Sequence, residues 1–387
     1  MPSILKKFLA AGILAGLCCI SQAMAEPTIF ESKAKEAYLI EESTGTVLYS
    51  KNADVLFPPA SLVKLATAEY VFNELKQGRI TEETQYKVSE YAWRTGGALS
   101  RTSAMFAALN SNIRVIDLLR GVIIQLANDG CIILAEGLAG SESAFADLLT
   151  KRARQLGLAK SVFANSNGLP DPKNKTTVRE LVTLARLIRS NYPDYFRLYS
   201  EKQFEWNKIN QRNRNPLIAQ NIGVDGFATG FAEESGYAIV TTVERNGTRL
   251  FLALGGLKTD KERMEETKRV LEWGLTNFVK RTVFKKGDVI AEAPVFGGDK
   301  SHVPLRARDN VDIFVPVDNP DRIRARIVYT WPLKAPVTGD QKIGTMTITL
   351  GDRPVRDVDV YSTAAVGTGT LTSKAFDGLK ELLFFWL

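Results

Sequence analysis

His302 is the one histidine in 387 residues, and its isolation decides what kinds of chemistry the chain can perform. A single histidine argues against a histidine-built zinc site, a Ser-His-Asp triad and a Cys-His dyad, so a catalytic base of another type is expected. The strongest candidate is Ser61-Leu62-Val63-Lys64. Residues at i and i+3 share a helix face, and a buried lysine with a lowered pKa can take a proton from serine. The same spacing occurs at Ser3/Lys6 and Ser32/Lys35, so spacing alone carries little. Ser61 gains weight from its setting: a Pro58-Pro59-Ala60 lead-in, a helix start whose N–H groups can face an oxyanion, and apolar neighbours that would depress the pKa of Lys64. Local features still leave a plain helix-start serine as the alternative. Lys33 and Lys35 read as solvated charges, and Asp129 as a carboxylate making local hydrogen bonds. Glu233 and Glu234 are adjacent, so on a strand they would point to opposite faces and are poorly placed to work as a pair. Cys131 reads as a small core residue and His302 as a surface residue.

These residues need elements to hold them. Tyr38–Ile40 and Val47–Tyr49 flank Ser43-Thr44-Gly45, which predicts a hairpin. From Ser61 to about Leu75 apolar residues recur at helical spacing until Gly78, placing Ser61 at a helix start. Helices are expected at Val115–Leu119, Gly121–Leu126 and Phe145–Leu156, and again after Thr177, where Thr177 and Glu180 are spaced as a capping box. After Gly223 strands take over, with Asn246-Gly247 marking a hairpin between Tyr237–Val243 and Thr248–Leu254. Thr259 and Glu262 then open an amphipathic helix running to about Phe278. Strict alternation in Arg322–Ile327 and Thr345–Leu350 predicts an all-β domain over about 280–366. The fold class expected is mixed α/β: an antiparallel or mixed sheet with helices on it, then a small β-domain.

Composition sets the compartment. The chain is 45% hydrophobic and 24% charged, as a folded protein of two domains would be. Lys6 and Lys7, the apolar run Phe8–Ile20 and Ala23-Met24-Ala25 have the plan of an export signal over 1–25. The run is short for a spanning helix, which would need ~20 apolar residues. Cleavage before Glu26 would lower the formal charge from +7 to +5 and leave Cys131 alone, so no internal disulfide is expected. The bases are scattered, and no nucleic-acid groove is expected. Leu371–Leu387 is amphipathic and ends Leu-Leu-Phe-Phe-Trp-Leu, which suits a helix lying in a membrane interface better than one docked on its own domain.

Several segments, taken in order, resemble a known family. They are Pro58–Leu65, Trp93–Gly97, Asn128–Cys131, Phe163–Asn165 with Gly168–Pro170, and Gly223–Gly230. Together they look like the low-molecular-mass penicillin-binding proteins, the serine D-alanyl-D-alanine carboxypeptidases, over essentially the whole chain. The resemblance implies a β-lactamase/DD-peptidase fold over 26–275, a β-domain at 280–366 and a membrane-anchoring helix at 371–387. It implies an exported protein, peripheral on the periplasmic face of the cytoplasmic membrane. The implied substrate is a peptidoglycan stem peptide, with β-lactams as acylating ligands and no metal or other cofactor. Three motifs surround the scissile bond in this family: Ser-x-x-Lys, Ser-x-Asn and Lys-Thr-Gly. The first implies Ser61 as nucleophile and Lys64 as base. The second aligns on Leu126-Ala127-Asn128, keeping Asn128 and losing the hydroxyl. The third aligns on Ala228-Thr229-Gly230, so Thr229 and Gly230 remain for substrate binding while the lysine is lost. The main-chain N–H groups of Ser61 and Phe231 are the implied oxyanion hole. The expectation is a carboxypeptidase with reduced turnover, the alternative an inactive protein of the same fold that binds peptidoglycan or a partner. β-Lactam hydrolysis is not expected, since no carboxylate base for the deacylating water is identified.

Overall fold

A buried carboxylate closes the turn at residues 42–44. Glu41 accepts hydrogen bonds from the main-chain N–H groups of Ser43 and Thr44, both at 2.8 Å. On either side, β1 (Glu36–Glu41) and β2 (Val47–Lys51) pair antiparallel, the hairpin expected there. The computed structural model describes residues 30–318 and 321–371. The export segment at 1–25 lies outside them, as does the helix expected over 371–387 beyond Leu371.

Helices follow the hairpin: α1 (Val63–Lys76), α2 (Val115–Arg120), α3 (Asn128–Ala139), α4 (Glu142–Gln155), α5 (Val178–Asn191), α6 (Pro193–Phe196) and, later, α7 (Asp260–Thr276). Thr177 caps α5 and Thr259 caps α7, their hydroxyls accepting from Glu180 N at 3.1 Å and Glu262 N at 3.0 Å. Two short hairpins, β3 (Gln85–Lys87) with β4 (Asn112–Arg114) and β5 (Gln203–Trp206) with β6 (Ile209–Arg212), edge the helical layer. The strands β7 (Val224–Ala232), β8 (Gly236–Arg245) and β9 (Thr248–Leu257) complete a five-stranded antiparallel sheet in the order β2-β1-β9-β8-β7. Asn246 and Gly247 both take positive φ, 52° and 76°, as a two-residue hairpin turn requires.

The helix α1 runs through the middle of this region. Its buried residues include Val63, Leu65, Ala66, Ala68, Val71 and Phe72, which lie on all sides of the helix. A helix apolar all round is a core helix, and Lys64 is therefore buried with it.

The expected helix at Gly121–Leu126 is different in kind. Gly121–Gln125 winds as a wider π-type turn, and Leu126 ends it at φ 56° in the left-handed region. A leucine held there costs about 1 kcal/mol or more.

The C-terminal part is all β, as the alternation predicted. β10 (Phe278–Phe284) starts where the α7 helix was expected to end, and it pairs with β13 (Val311–Pro316). A six-stranded sheet is built from β11 (Ala291–Phe296), β12 (His302–Arg306), β14 (Ile323–Tyr329), β15 (Leu333–Lys334), β16 (Lys342–Leu350) and β17 (Arg353–Ser362). Its apolar residues face inward on alternate positions, as with Met346, Ile348 and Leu350 of β16. His302 is exposed on β12, in keeping with its reading as a surface residue.

Candidate active site

Ala60 precedes the serine in a left-handed conformation, φ 49°, and Ala60–Leu62 forms a single 3-10 turn leading into α1. That turn brings Ser61 and Lys64 together, with Lys64 Nζ 3.3 Å from Ser61 Oγ. The lysine is 2% exposed, and burial lowers its pKa to about 8. Nearby Glu142 and Asp129 partly offset this by favouring the cation. Cys131 also faces Lys64, but burial pushes its thiol up to about 12. The thiol is therefore neutral where Lys64 titrates, and Cys131 is an inert core residue.

A second segment holds the lysine from below. Lys64 Nζ also donates to the Asn167 carbonyl, and Thr67 Oγ1 donates to the Ser166 carbonyl at 2.6 Å. Glu142 of α4 fixes this loop, its Oε1 accepting from Ser166 Oγ at 2.6 Å and Asn167 Nδ2 at 3.0 Å. The next residue, Gly168, sits at φ +80° with its Cα against the Ala60 carbonyl, where an added methyl would collide. Gly168→Ala is therefore expected to push Ala60 and Ser61 out of register with Lys64. We expect a loss of stability of roughly 2 kcal/mol or more, with a larger proportional loss of acylation at Ser61. Thermal denaturation and labelling by a β-lactam would measure the two effects.

The other expected residues reach the same corner by different routes. Asn128 opens α3 and is 5% exposed; its Nδ2 donates to Thr102 Oγ1 at 2.9 Å. Thr102 shares a hydrogen bond of 2.6 Å with Ser100. Leu126, two residues earlier, is 5% exposed and supplies no polar atom. On β7, Thr229 donates from Oγ1 to the Arg214 carbonyl at 3.3 Å, and Arg214 N in turn bonds Ile124 O at 2.9 Å. Arg214 thus ties the Ala-Thr-Gly strand to the turn carrying Leu126. Gly230 lies against the serine turn: a Cβ there would stand 3.0 Å from Pro59 O. Phe231 is half-exposed and packs at a 37° tilt against Tyr237, with ring centroids 4.4 Å apart. Ala228 is 2% exposed and belongs to the apolar core cluster, on the same face of β7 as Gly230.

Several contributors were not singled out from sequence. Arg263 lies buried behind β7, with Nη1 3.5 Å from Gly230 O and Nη2 against Asp260. Arg214 places Nε 3.1 Å from Gln125 Oε1, one residue before Leu126. Asp129 does more than bond locally: its carboxylate accepts from Met105 N at 2.9 Å and Ala107 N at 3.1 Å as well as from Gly130 N at 3.0 Å. It therefore anchors the loop that carries Ser100 and Thr102, while burial raises its own pKa. Among the described residues no cluster of side chains could hold a metal ion.

The profile of the D-alanyl-D-alanine carboxypeptidase family matches residues 21–258, and that of the penicillin-binding protein 5 C-terminal domain matches residues 278–368. The chain belongs to the D-alanyl-D-alanine carboxypeptidase family. It is 33% identical over 356 residues to D-alanyl-D-alanine carboxypeptidase DacC of Escherichia coli K12, covering 91% of this chain and 89% of the relative. The crystal structure of penicillin-binding protein 5 from Haemophilus influenzae superposes with a TM-score of 0.74 at 33% identity, covering 88% of this chain and 99% of that one. Penicillin-binding protein D2 of Listeria monocytogenes, solved with cefotaxime bound, matches at 25% identity and a TM-score of 0.55 over 65% of this chain and 100% of that one. The family membership makes the chain a low-molecular-mass penicillin-binding protein by fold and a serine-type D-alanyl-D-alanine carboxypeptidase by enzyme class.

Proposed function

We propose that this protein removes the terminal D-alanine from peptidoglycan stem peptides through an acyl-enzyme on Ser61. The observation that carries the proposal is the buried Lys64, within 3.3 Å of Ser61 Oγ and with its pKa lowered to about 8. Neutral Lys64 accepts the Ser61 proton as Oγ attacks the carbonyl of the penultimate D-alanine. Charge on the tetrahedral oxygen is met by the N–H groups of Ser61 and Phe231. The C–N bond breaks, the leaving D-alanine nitrogen takes the proton, and water later hydrolyses the Ser61 ester.

In this reading Asn128, Thr229 and Gly230 line the substrate groove, and Thr229 turns its hydroxyl from the Arg214 carbonyl to donate to the substrate carboxylate. Leu126 offers no hydroxyl for proton relay between Lys64 and the leaving nitrogen, so the transfer is direct and slower. Ala228 offers no charge to the carboxylate. Turnover is accordingly reduced relative to a relative with all three motifs complete. A second reading, a peptidoglycan- or partner-binding protein without turnover, draws support from the burial of both Leu126 and Ala228, which leaves each position apolar.

β-Lactams are then acylating ligands. Incubation with benzylpenicillin should add one penicilloyl mass to the tryptic peptide containing Ser61, and Ser61→Ala should remain unmodified. An unlabelled wild-type protein would count against the nucleophile assignment.

We further propose that the protein is exported by residues 1–25 and held at the periplasmic face of the cytoplasmic membrane by the helix at 371–387. Among the described residues no helix is long and apolar enough to cross a membrane. Deleting 371–387 should move the protein from the membrane pellet to the supernatant, and unchanged sedimentation would refute the anchor.

A further inference from the structure

A cavity of about 700 Å³ lies where the first hairpin and α5 meet the start of β17, and the proposed chemistry makes no use of it. Four arginines contribute to its wall, Arg179, Arg186, Arg353 and Arg356, together with the acidic residues Glu42 and Asp357. Glu42 is paired, its Oε1 accepting from Arg189 at 2.7 Å, whereas Asp357 accepts only from the neutral Thr347 Oγ1 at 2.7 Å and leaves one negative charge against the four guanidinium groups of the wall. Arg179 is likewise held, by Asp54 at 2.8 Å and the Tyr38 hydroxyl at 2.9 Å.

The other three guanidinium groups have neutral partners. Arg186 donates to the Glu42 carbonyl at 3.5 Å, Arg353 to the Leu48 carbonyl at 3.2 Å, and Arg356 to the Asp312 carbonyl. Among the described residues none of the three forms an ion pair, although Asp321 acts on Arg353, and Asp312 and Glu41 on Arg356, at longer range. A carbonyl neutralises no charge, and each guanidinium carries five N–H donors, most of them unused here. Gathering such forks from two domains around one cavity suits a ligand with several anionic oxygens. A carboxylate offers two oxygens; a phosphate group offers three or four, and guanidinium forks match it in pairs. The volume exceeds what a bare phosphate would fill.

We propose that this cavity binds the phosphate group of an ester, held by Arg186 of α5 together with Arg353 and Arg356 of β17. The ligand would clamp the catalytic part to the β-domain, since α5 belongs to the first and β17 to the second. The chemistry is shared by a soluble phosphate ester and a phospholipid headgroup. The proposal stands apart from the fate of Ser61.

The test is titration of the purified protein with inorganic phosphate and then glycerol 3-phosphate, at ionic strength held constant with chloride, followed by calorimetry and thermal denaturation. One saturable site and a ligand-dependent rise in Tm are expected. Arg186→Gln and Arg353→Gln should each weaken binding by about tenfold or more, and their Tm without ligand shows that they fold. Absence of saturable binding by the wild type, an equal effect of chloride alone, or undiminished binding in both variants would overturn the proposal. Co-sedimentation with vesicles of phosphatidylglycerol, against vesicles of phosphatidylcholine, then separates the two sources. The helix at 371–387 would hold the protein on both kinds of vesicle, so the excess of binding to phosphatidylglycerol over phosphatidylcholine is what decides. An excess weakened by the variants assigns a lipid headgroup, and no excess, or one unchanged by them beside lost phosphate binding, assigns a soluble ester.

Discussion

Lys64→Met is expected to slow acylation of Ser61 by roughly 10²–10⁴-fold, the usual contribution of a positioned general base. Methionine keeps the length and apolar stem of lysine, so the loss would report the missing amine rather than a cavity. The pH profile separates the base from a merely structural lysine. With a pKa of about 8, wild-type acylation should rise through an inflexion near that pH, and the Met variant should lack it. Stability should follow the same group. Below about 8 the folded and unfolded chains both carry the proton, and the folded state bears the full penalty of a buried cation. As the pH rises from there toward the ordinary lysine value of 10.5, only the unfolded chain stays protonated, so folding stability increases. The gain is on the order of 3 kcal/mol at most. Thermal denaturation from pH 7 to 10, wild type beside Lys64→Met, would measure it.

The second large effect runs in the opposite direction. Restoring both altered positions, Leu126→Ser with Ala228→Lys, should raise kcat/KM for D-alanine release by roughly 10²-fold or more, because a proton relay is supplied at the leaving nitrogen. The pair should exceed either change alone. Ala228 is 2% exposed, so a lysine placed there without a hydroxyl partner is a buried cation with little to pair it. The single Leu126→Ser change carries its own conflict, since residue 126 sits at φ 56°, where serine is no better accommodated than leucine. Steady-state kinetics on the two single variants and the double variant would give the coupling directly. A double variant no faster than the wild type would show that the loss lies elsewhere in the groove.

The parts of this site that could be read from sequence are those set by short-range spacing. The Ser61/Lys64 pair follows from one helical turn, and the burial of Lys64 follows from apolar residues on every side of α1. The Asn246-Gly247 turn, the Thr177 and Thr259 caps and the alternating β16 strand are equally local. What escaped is set by contacts between distant segments. The Asn167 carbonyl beneath Lys64 is 103 residues away and has no side-chain signature. Glu142 holds that loop from α4, yet in the sequence it is one more acid in the first turn of a helix. Asp129 read as a local hydrogen-bonding carboxylate because its immediate neighbours suffice for that role. In the fold it reaches back 24 residues to Met105, since α3 packs beneath the loop carrying Ser100 and Thr102. Gly121–Leu126 has helical apolar spacing, and nothing in its composition distinguishes a π-type turn from an α-helix.

The most direct measurement is D-alanine release from a peptide ending in D-Ala-D-Ala, by the purified protein beside its Ser61→Ala variant. Release by the wild type that vanishes in the variant is the result expected, and it would mean that Ser61, Lys64 and the main-chain oxyanion hole suffice for turnover. Wild-type release no greater than that of the variant would contradict the account and leave a binding protein on a carboxypeptidase fold.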